Sequence, residues 1–276
     1  MESRIIENKY SALPWVNLLG QPMADRLLAW EQAQADDLLA DVFGYHAMQL
    51  GWPQLQALRA NRMPHRWMAQ AEFESGTVFQ PCSALESSPP AHVHFDSQAW
   101  PWAADSLDLV VLPHALERSA DAHACLREVE RVLIPEGQVL ITGLNPMSFW
   151  GWQLTSRQRK SRHVGESQMN LIAYRRLRDW LRLLGFEVQV SRFAGWTPAL
   201  ASERWMRKLD GLAACGQRWW PILGGVYLIL ATKRVPAGRW LGARQWRAVR
   251  SPAASTVPVA RSDTSIGRAA VSKDIC

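Results

Sequence analysis

Glu72, Asp96, His114 and Asn145 each stand at, or just past, the end of an apolar run. In an open α/β sheet the carboxyl ends of the strands are where ligands bind. A carboxylate at such an end can accept hydrogen bonds from hydroxyl or amine groups. An imidazole there can take a proton or touch a substrate, and an amide can orient one. The stretch AMQLGWP, residues 47–53, raises the same question. Gln49 and Gly51 close a strand-like run, and a glycine at that point lets the chain turn tightly and a ligand come close to the backbone. Glu72 follows about twenty residues later, the distance at which an acid commonly binds ribose hydroxyls. Trp52 and Pro53, however, occupy the places where the further glycines of a nucleotide-binding turn would fall.

Other chemistries lack their motifs. The chain has no Ser-His-Asp order with a nucleophile elbow, no Gly-Lys-Ser phosphate loop and no metal-binding helix motif. Cys82, Cys125, Cys215 and Cys276 have neither the short mutual spacing nor the histidines of a zinc site. No metal site and no disulfide framework is expected, and the cysteines read as small buried hydrophobes.

The elements that must carry these residues are legible in the periodicity. Residues 25–40, DRLLAWEQAQADDLLA, space apolar side chains for an amphipathic helix. PQLQALRA suits a short helix begun by Pro53. RWMAQAE is a strand candidate ending at Glu72, and AHVHF one ending at Asp96. Leu107 to Leu112 is a continuous apolar strand closed by Pro113. DAHACLREVERVL is a helix with Asp121 near its N-cap, stopped by Pro135-Glu136-Gly137, and QVLITGL is the next buried strand. Strand, helix and strand in this order make a right-handed βαβ unit. AYRRLRDWLRLLGF is a third helix, with Gly185 at its C-terminal end. EVQVSRF and GGVYLILATKR complete the strands, and two final strands of such a series tend to pair antiparallel at the sheet edge.

Residues 96–143 carry a more specific signal. Asp96, then Trp100-Pro101-Trp102, Leu107-Asp108-Leu109-Val110, Leu126-Arg127-Glu128, and Arg131 through Gly137 fill in order the places of a known pattern. The segment resembles the second half of a class I S-adenosylmethionine-dependent methyltransferase of the bacterial type 11-like group. GLNPMSFWGWQL, residues 143–154, is similar to a run that follows the fifth strand in a bacterial subgroup. The resemblance implies a doubly wound, mostly parallel α/β sheet of seven strands, Rossmann-like, with an antiparallel edge strand. It implies S-adenosylmethionine as cofactor, with Asp96 and the backbone of Ser97 at the adenine and Glu72 at the ribose. Pro113 and His114 then open toward the sulfonium. Gly51 aligns with the first glycine of a degenerate glycine-rich motif, and Gln49 stands where an acid is usual. Asn145 and His114 are the candidate catalytic or acceptor-orienting residues. Phe149, Trp150 and Trp152 form an expected acceptor wall. Methyl transfer needs no nucleophile of the protein's own, because the sulfonium is already activated and the protein mainly aligns the reactants.

The net charge of +6 is unevenly distributed. From Lys233 onward there are nine Lys or Arg against two Asp, whereas residues 1–232 carry 22 basic and 23 acidic side chains. Residues 1–234 are therefore expected to form the α/β domain, and residues 235–276 a basic, disordered tail able to contact polyanions. A basic stretch, RQRKSRHVGE at 157–166, lies beside the aromatic run. No leader or membrane span is expected, and a cytoplasmic location follows. The reading is methyl transfer to an unidentified acceptor, either a small molecule or nucleic acid. Its alternative is an inactive methyltransferase-like module that binds a partner or RNA. A nicotinamide oxidoreductase is disfavoured, because the chain has no Gly-x-Gly-x-x-Gly turn.

Overall fold

The computed structural model describes residues 21–72, 91–96, 99–160, 169–196 and 220–235. The chain divides into one unit over Met1–Val235 and another over Pro236–Cys276. All the described residues lie in the first, and of the tail expected over 235–276 only Val235 is among them.

In chain order the elements are α1 (Gln21–Leu39), β1 (His46–Leu50), β2 (His65–Glu72), β3 (Ala91–Asp96), β4 (Leu107–Pro113), α2 (Ala115–Arg118), α3 (Ala122–Val132), β5 (Leu133–Leu144), α4 (Phe149–Lys160), α5 (Tyr174–Leu183), β6 (Phe186–Ala194) and β7 (Val226–Lys233). The strands form one sheet in the order β3-β2-β1-β4-β5-β7-β6. The pairs from β3 through β5 are parallel, and β7 runs antiparallel to both neighbours. The antiparallel pairing expected at the edge is thus that of β6 with β7, and β7 sits one place in from the edge. From β1 the chain winds outward to β3, then returns to lay β4 on the other side of β1. That reversal puts the topological switch point between β1 and β4, where open α/β sheets bind ligands.

Side chains alternate across the strands and feed two cores. Ala47, Leu109, Val111, Leu140 and Leu228 face one layer with Leu27, Ala35 and Leu39 of α1 and Trp150 and Leu154 of α4. Met48, Leu50, Val110, Leu112, Ile141 and Ile229 face the other, against Leu126 and Val129 of α3 and Leu177 and Leu181 of α5. Because both faces are covered, β4 from Leu109 to Pro113 and β7 from Val226 to Ala231 read as continuous apolar runs rather than alternating ones. The Asp121 side chain accepts from the backbone N–H of His123 and Ala124 at 2.9 and 3.0 Å, as its N-cap position requires. Gly185 closes α5 at φ +81°, a conformation that favours glycine. Asp108 fixes the start of β1 against β4: its Oδ2 accepts from the backbone N–H of Tyr45 and His46 at 3.0 and 2.9 Å.

Three local expectations change. Helix α1 begins at Gln21, earlier than residue 25, and ends at Leu39. Pro135-Glu136-Gly137 does not separate α3 from a later strand. Strand β5 begins at Leu133, and the three residues lie in a register shift where Leu107 pairs with Leu133 and Leu109 with Gln138. The segment after Pro53 is a series of turns, not a helix. The reason is the Gln49 side chain. Its Nε2 lies within hydrogen-bond reach of the carbonyls of Gly51, Trp52 and Leu55, at 3.3, 3.1 and 2.6 Å. Its Oε1 accepts from the Ala57 N–H at 3.1 Å. These are the backbone groups a helix would have paired with each other, and a buried amide takes them instead.

Candidate functional site

Gly51 leaves β1 at φ +72°, and its backbone N–H donates to the Ala69 carbonyl of β2 at 2.7 Å. The space that a side chain would fill at Gly51 is open. Trp52 follows, also at positive φ (39°), and its indole is buried. Such a conformation costs a bulky residue energy, and it is usually held where the surroundings impose it. Gln49, the residue expected to face the cofactor, is fully buried, with its amide turned into its own loop. It builds the floor of the turn and brings no charge.

On the outer side of β1, Glu72 and Asp96 close β2 and β3 and are Cα register partners. The two acids of the sequence pattern therefore end on adjacent parallel strands at the same level. Ser97 lies outside the described residues.

On the other side of β1, Pro113 ends β4 beside Thr142 of β5. His114 adopts the left-handed conformation, φ 51° and ψ 21°, and its backbone N–H donates to the Thr142 carbonyl at 3.1 Å. Its imidazole is completely buried and lies between two buried carboxylates. Nε2 is 2.9 Å from Oε1 of Glu31 in α1, and Nδ1 is 3.4 Å from Oε1 of Glu117 in α2. Burial alone would push the His114 pKa down, but Glu31 and then Glu117 outweigh it and raise it to about 10. The ring therefore holds its proton at neutral pH. Both ring nitrogens of this residue, offered by the sequence as a base or a substrate contact, are engaged by carboxylates inside the protein. The Trp52 ring meets the His114 ring edge-on, with centroids 5.2 Å apart. This contact ties the glycine turn after β1 to the end of β4.

Glu117 Oε1 also accepts from the Leu144 backbone N–H. Oε2 of Glu31 and Oε2 of Glu117 are buried and have no hydrogen-bond partner among the described residues. Nearby, the Tyr227 phenol donates to the Ile172 carbonyl at 3.0 Å. Burial, and after it Glu117, holds that phenol well above its ordinary pKa, so it stays neutral.

Asn145 is buried just past β5. Its Nδ2 donates to the carbonyls of Ile222 and Gly224 at 2.6 and 3.1 Å, and its Oδ1 accepts from the Met147 N–H at 3.1 Å. The amide joins the exit of β5 to the approach of β7, leaving neither of its hydrogens for an acceptor. Of the expected aromatic wall, Trp150 is a core residue, buried so closely that a side chain at Gly225 would meet its ring at 2.5 Å. Phe149 and Trp152 are exposed, with ring centroids 6.1 Å apart, and Met147 beside them is exposed too. The basic stretch runs from the end of α4 into residues outside the described set.

The sequence reading missed Glu31 and Glu117, and it gave Trp52 only a place in the turn, not its contact with His114. For Glu31 a signal exists. It falls in the four-residue row Leu27, Glu31, Ala35, Leu39, whose other members are core residues of α1. An acid in the middle of an apolar stripe has to find a buried partner.

Residues 78–141 match the family described as "Methyltransferase domain". The chain is 30% identical over 183 residues to the uncharacterized protein YafS of Escherichia coli K12, a match that covers 66% of each chain. A solved S-adenosylmethionine-dependent methyltransferase from Archaeoglobus fulgidus superposes with a TM-score of 0.53 at 16% identity, covering 81% of this chain and 100% of that one. A possible histamine N-methyltransferase from Thermotoga maritima gives 0.53 at 15%, covering 83% and 96%. Residues 78–141 thus carry the methyltransferase-domain signature, on the fold of the class I methyltransferases. The two structural likenesses speak to the fold, and in such a fold the β1/β4 switch point is the place to test for a cofactor.

The residues there fit S-adenosylmethionine on two observations of this structure. The open side of Gly51 leaves room for a ligand against the backbone. The buried Oε2 atoms of Glu31 and Glu117, without a hydrogen-bond partner among the described residues, are acceptors for a cationic group. Among the described residues no group of His, Cys, Asp and Glu is arranged to hold a metal ion. No helix among them is long and apolar enough to cross a membrane.

Proposed function

We propose that this chain transfers a methyl group from S-adenosylmethionine to an acceptor whose class is still to be identified. The observation that carries the reading is the level pairing of Glu72 with Asp96 beside the open turn at Gly51. This arrangement sets two acids and an approachable backbone along the carboxyl ends of β1, β2 and β3, where this fold binds ligands. Bound there, the cofactor supplies an activated methyl group. Glu72 is assigned to the ribose hydroxyls, and Asp96, with the Ser97 backbone, to the adenine. Gly51 admits the amino-acid end, and Gln49 keeps the turn in shape from below. Pro113 and the buried His114 form the wall across the crevice, where His114 positions rather than exchanges protons. The acceptor approaches from the exposed rim of Met147, Phe149 and Trp152. Alignment and water exclusion supply the acceleration.

A thermal-shift titration tests this. S-adenosylmethionine, and its demethylated product, should raise the melting temperature in a concentration-dependent way. Ligand at a hundred times its Kd stabilises by about 2.7 kcal/mol. A flat response to both up to millimolar ligand would favour the inactive, partner-binding alternative.

A further inference from the structure

The strand end where this family usually carries an acid holds the neutral Gln49, its amide committed to its own loop. Across the same crevice the structure buries two carboxylates and one imidazole. Glu31 and Glu117 are 0% and 1% exposed, and among the described residues His114 is the sole cation paired with either. The cluster thus sets two acids against one base, and the neutral Tyr227 phenol beside it adds no charge. Each carboxylate also keeps one buried oxygen without a hydrogen-bond partner among the described residues. A buried carboxylate oxygen left so is costly, and a cation brought alongside relieves that cost. Trp52 and His114, both non-glycine residues held at positive φ, touch each other where the cluster borders the glycine turn. Strain of this kind gathers at ligand sites.

We propose that the Glu31–His114–Glu117 cluster supplies the counter-charge for the cationic methionine end of S-adenosylmethionine, the part that the uncharged Gln49 does not play. The negative charge has moved from the end of β1 to the end of β4 and to α1. The inference rests on the methyltransferase reading and names the residues by which this chain satisfies it. It also makes α1 part of the site, through Glu31.

The test compares two probes on the full-length protein. S-adenosylmethionine carries the ammonium and the sulfonium, whereas 5′-methylthioadenosine keeps the adenosine and carries neither charge. Wild-type protein should bind the first more tightly than the second. Glu31→Gln preserves the shape and the hydrogen bond to the imidazole but removes one negative charge. It should weaken S-adenosylmethionine by about tenfold or more, the size of one charge-assisted interaction, and leave 5′-methylthioadenosine within about twofold. His114→Gln removes the positive charge instead and should tighten S-adenosylmethionine, with 5′-methylthioadenosine again unmoved. Equal losses for both probes in Glu31→Gln, no loss for either, or wild-type protein that prefers the neutral probe would each overturn the proposal. Wild-type protein that binds neither probe overturns the methyltransferase reading itself, a result distinct from the others.

Discussion

Nε2 of His114 lies 2.9 Å from Oε1 of Glu31, a residue 83 positions earlier in the chain. Both side chains are fully buried. The pair ties the first described helix to the end of the central strand β4, and Glu117 completes the cluster from the other side of the ring. Taking two charges out of water is costly, and once they are buried, removing one of them leaves the other exposed to that cost.

Glu31→Ala should therefore destabilise the fold by about 3 kcal/mol, the usual size for breaking a buried ion pair. Urea denaturation followed by tryptophan fluorescence measures it. A loss below about 1 kcal/mol, in the range of an exposed pair, would show that the cluster is hydrated.

The same cluster predicts an alkaline limb in stability. The folded-state pKa of His114, raised to about 10, lies above its ordinary value of 6.5. A raised histidine contributes stability that is complete below the unfolded value and is lost as pH climbs through the folded one. Melting temperature should fall between about pH 7 and pH 10, and His114→Gln should flatten that part of the profile. An unchanged slope in the variant would assign the limb to other groups.

Restoring the family's acid at the end of β1 should do harm. Gln49→Glu removes the Nε2 donor that the carbonyls of Gly51, Trp52 and Leu55 share. It leaves buried acceptors facing a carboxylate, at a cost of about 2 kcal/mol or more. Chemical denaturation of the variant checks this, and a neutral or stabilising result would mean that the turn is held by something else.

Asp96→Ala should weaken S-adenosylmethionine by about tenfold or more, as expected when a charge-assisted hydrogen bond is lost. Unchanged affinity in a folded variant would remove Asp96 from the site.

The strands and helices that pack two layers were plain in the sequence, because their signals are local. The run Leu109 to Pro113 is apolar throughout since both faces of β4 are covered. Asp121 announced the start of α3 through its place before the stripe Ala122, Cys125, Leu126 and Val129. The strand-end positions of Glu72 and Asp96 followed from the same reasoning, and the structure adds that they are level. What escaped were the long-range polar contacts. PQLQALRA has the composition of a helix, but the backbone groups such a helix would use are taken by Gln49. His114 reads as a candidate base until Glu31 and Glu117 are seen beside it, and its link to α1 leaves no periodic trace at His114 itself. Asn145 reads as an acceptor contact until Ile222 and Gly224 claim its hydrogens.

The central claim is that the turn at Gly51 and the acids at the ends of β2 and β3 bind S-adenosylmethionine, and calorimetric titration of the purified full-length protein tests it most directly. The account predicts saturable heat with micromolar affinity for S-adenosylmethionine or its demethylated product. Absence of heat with either ligand at millimolar concentration would contradict it, and would leave the fold to be explained as a scaffold for binding a partner.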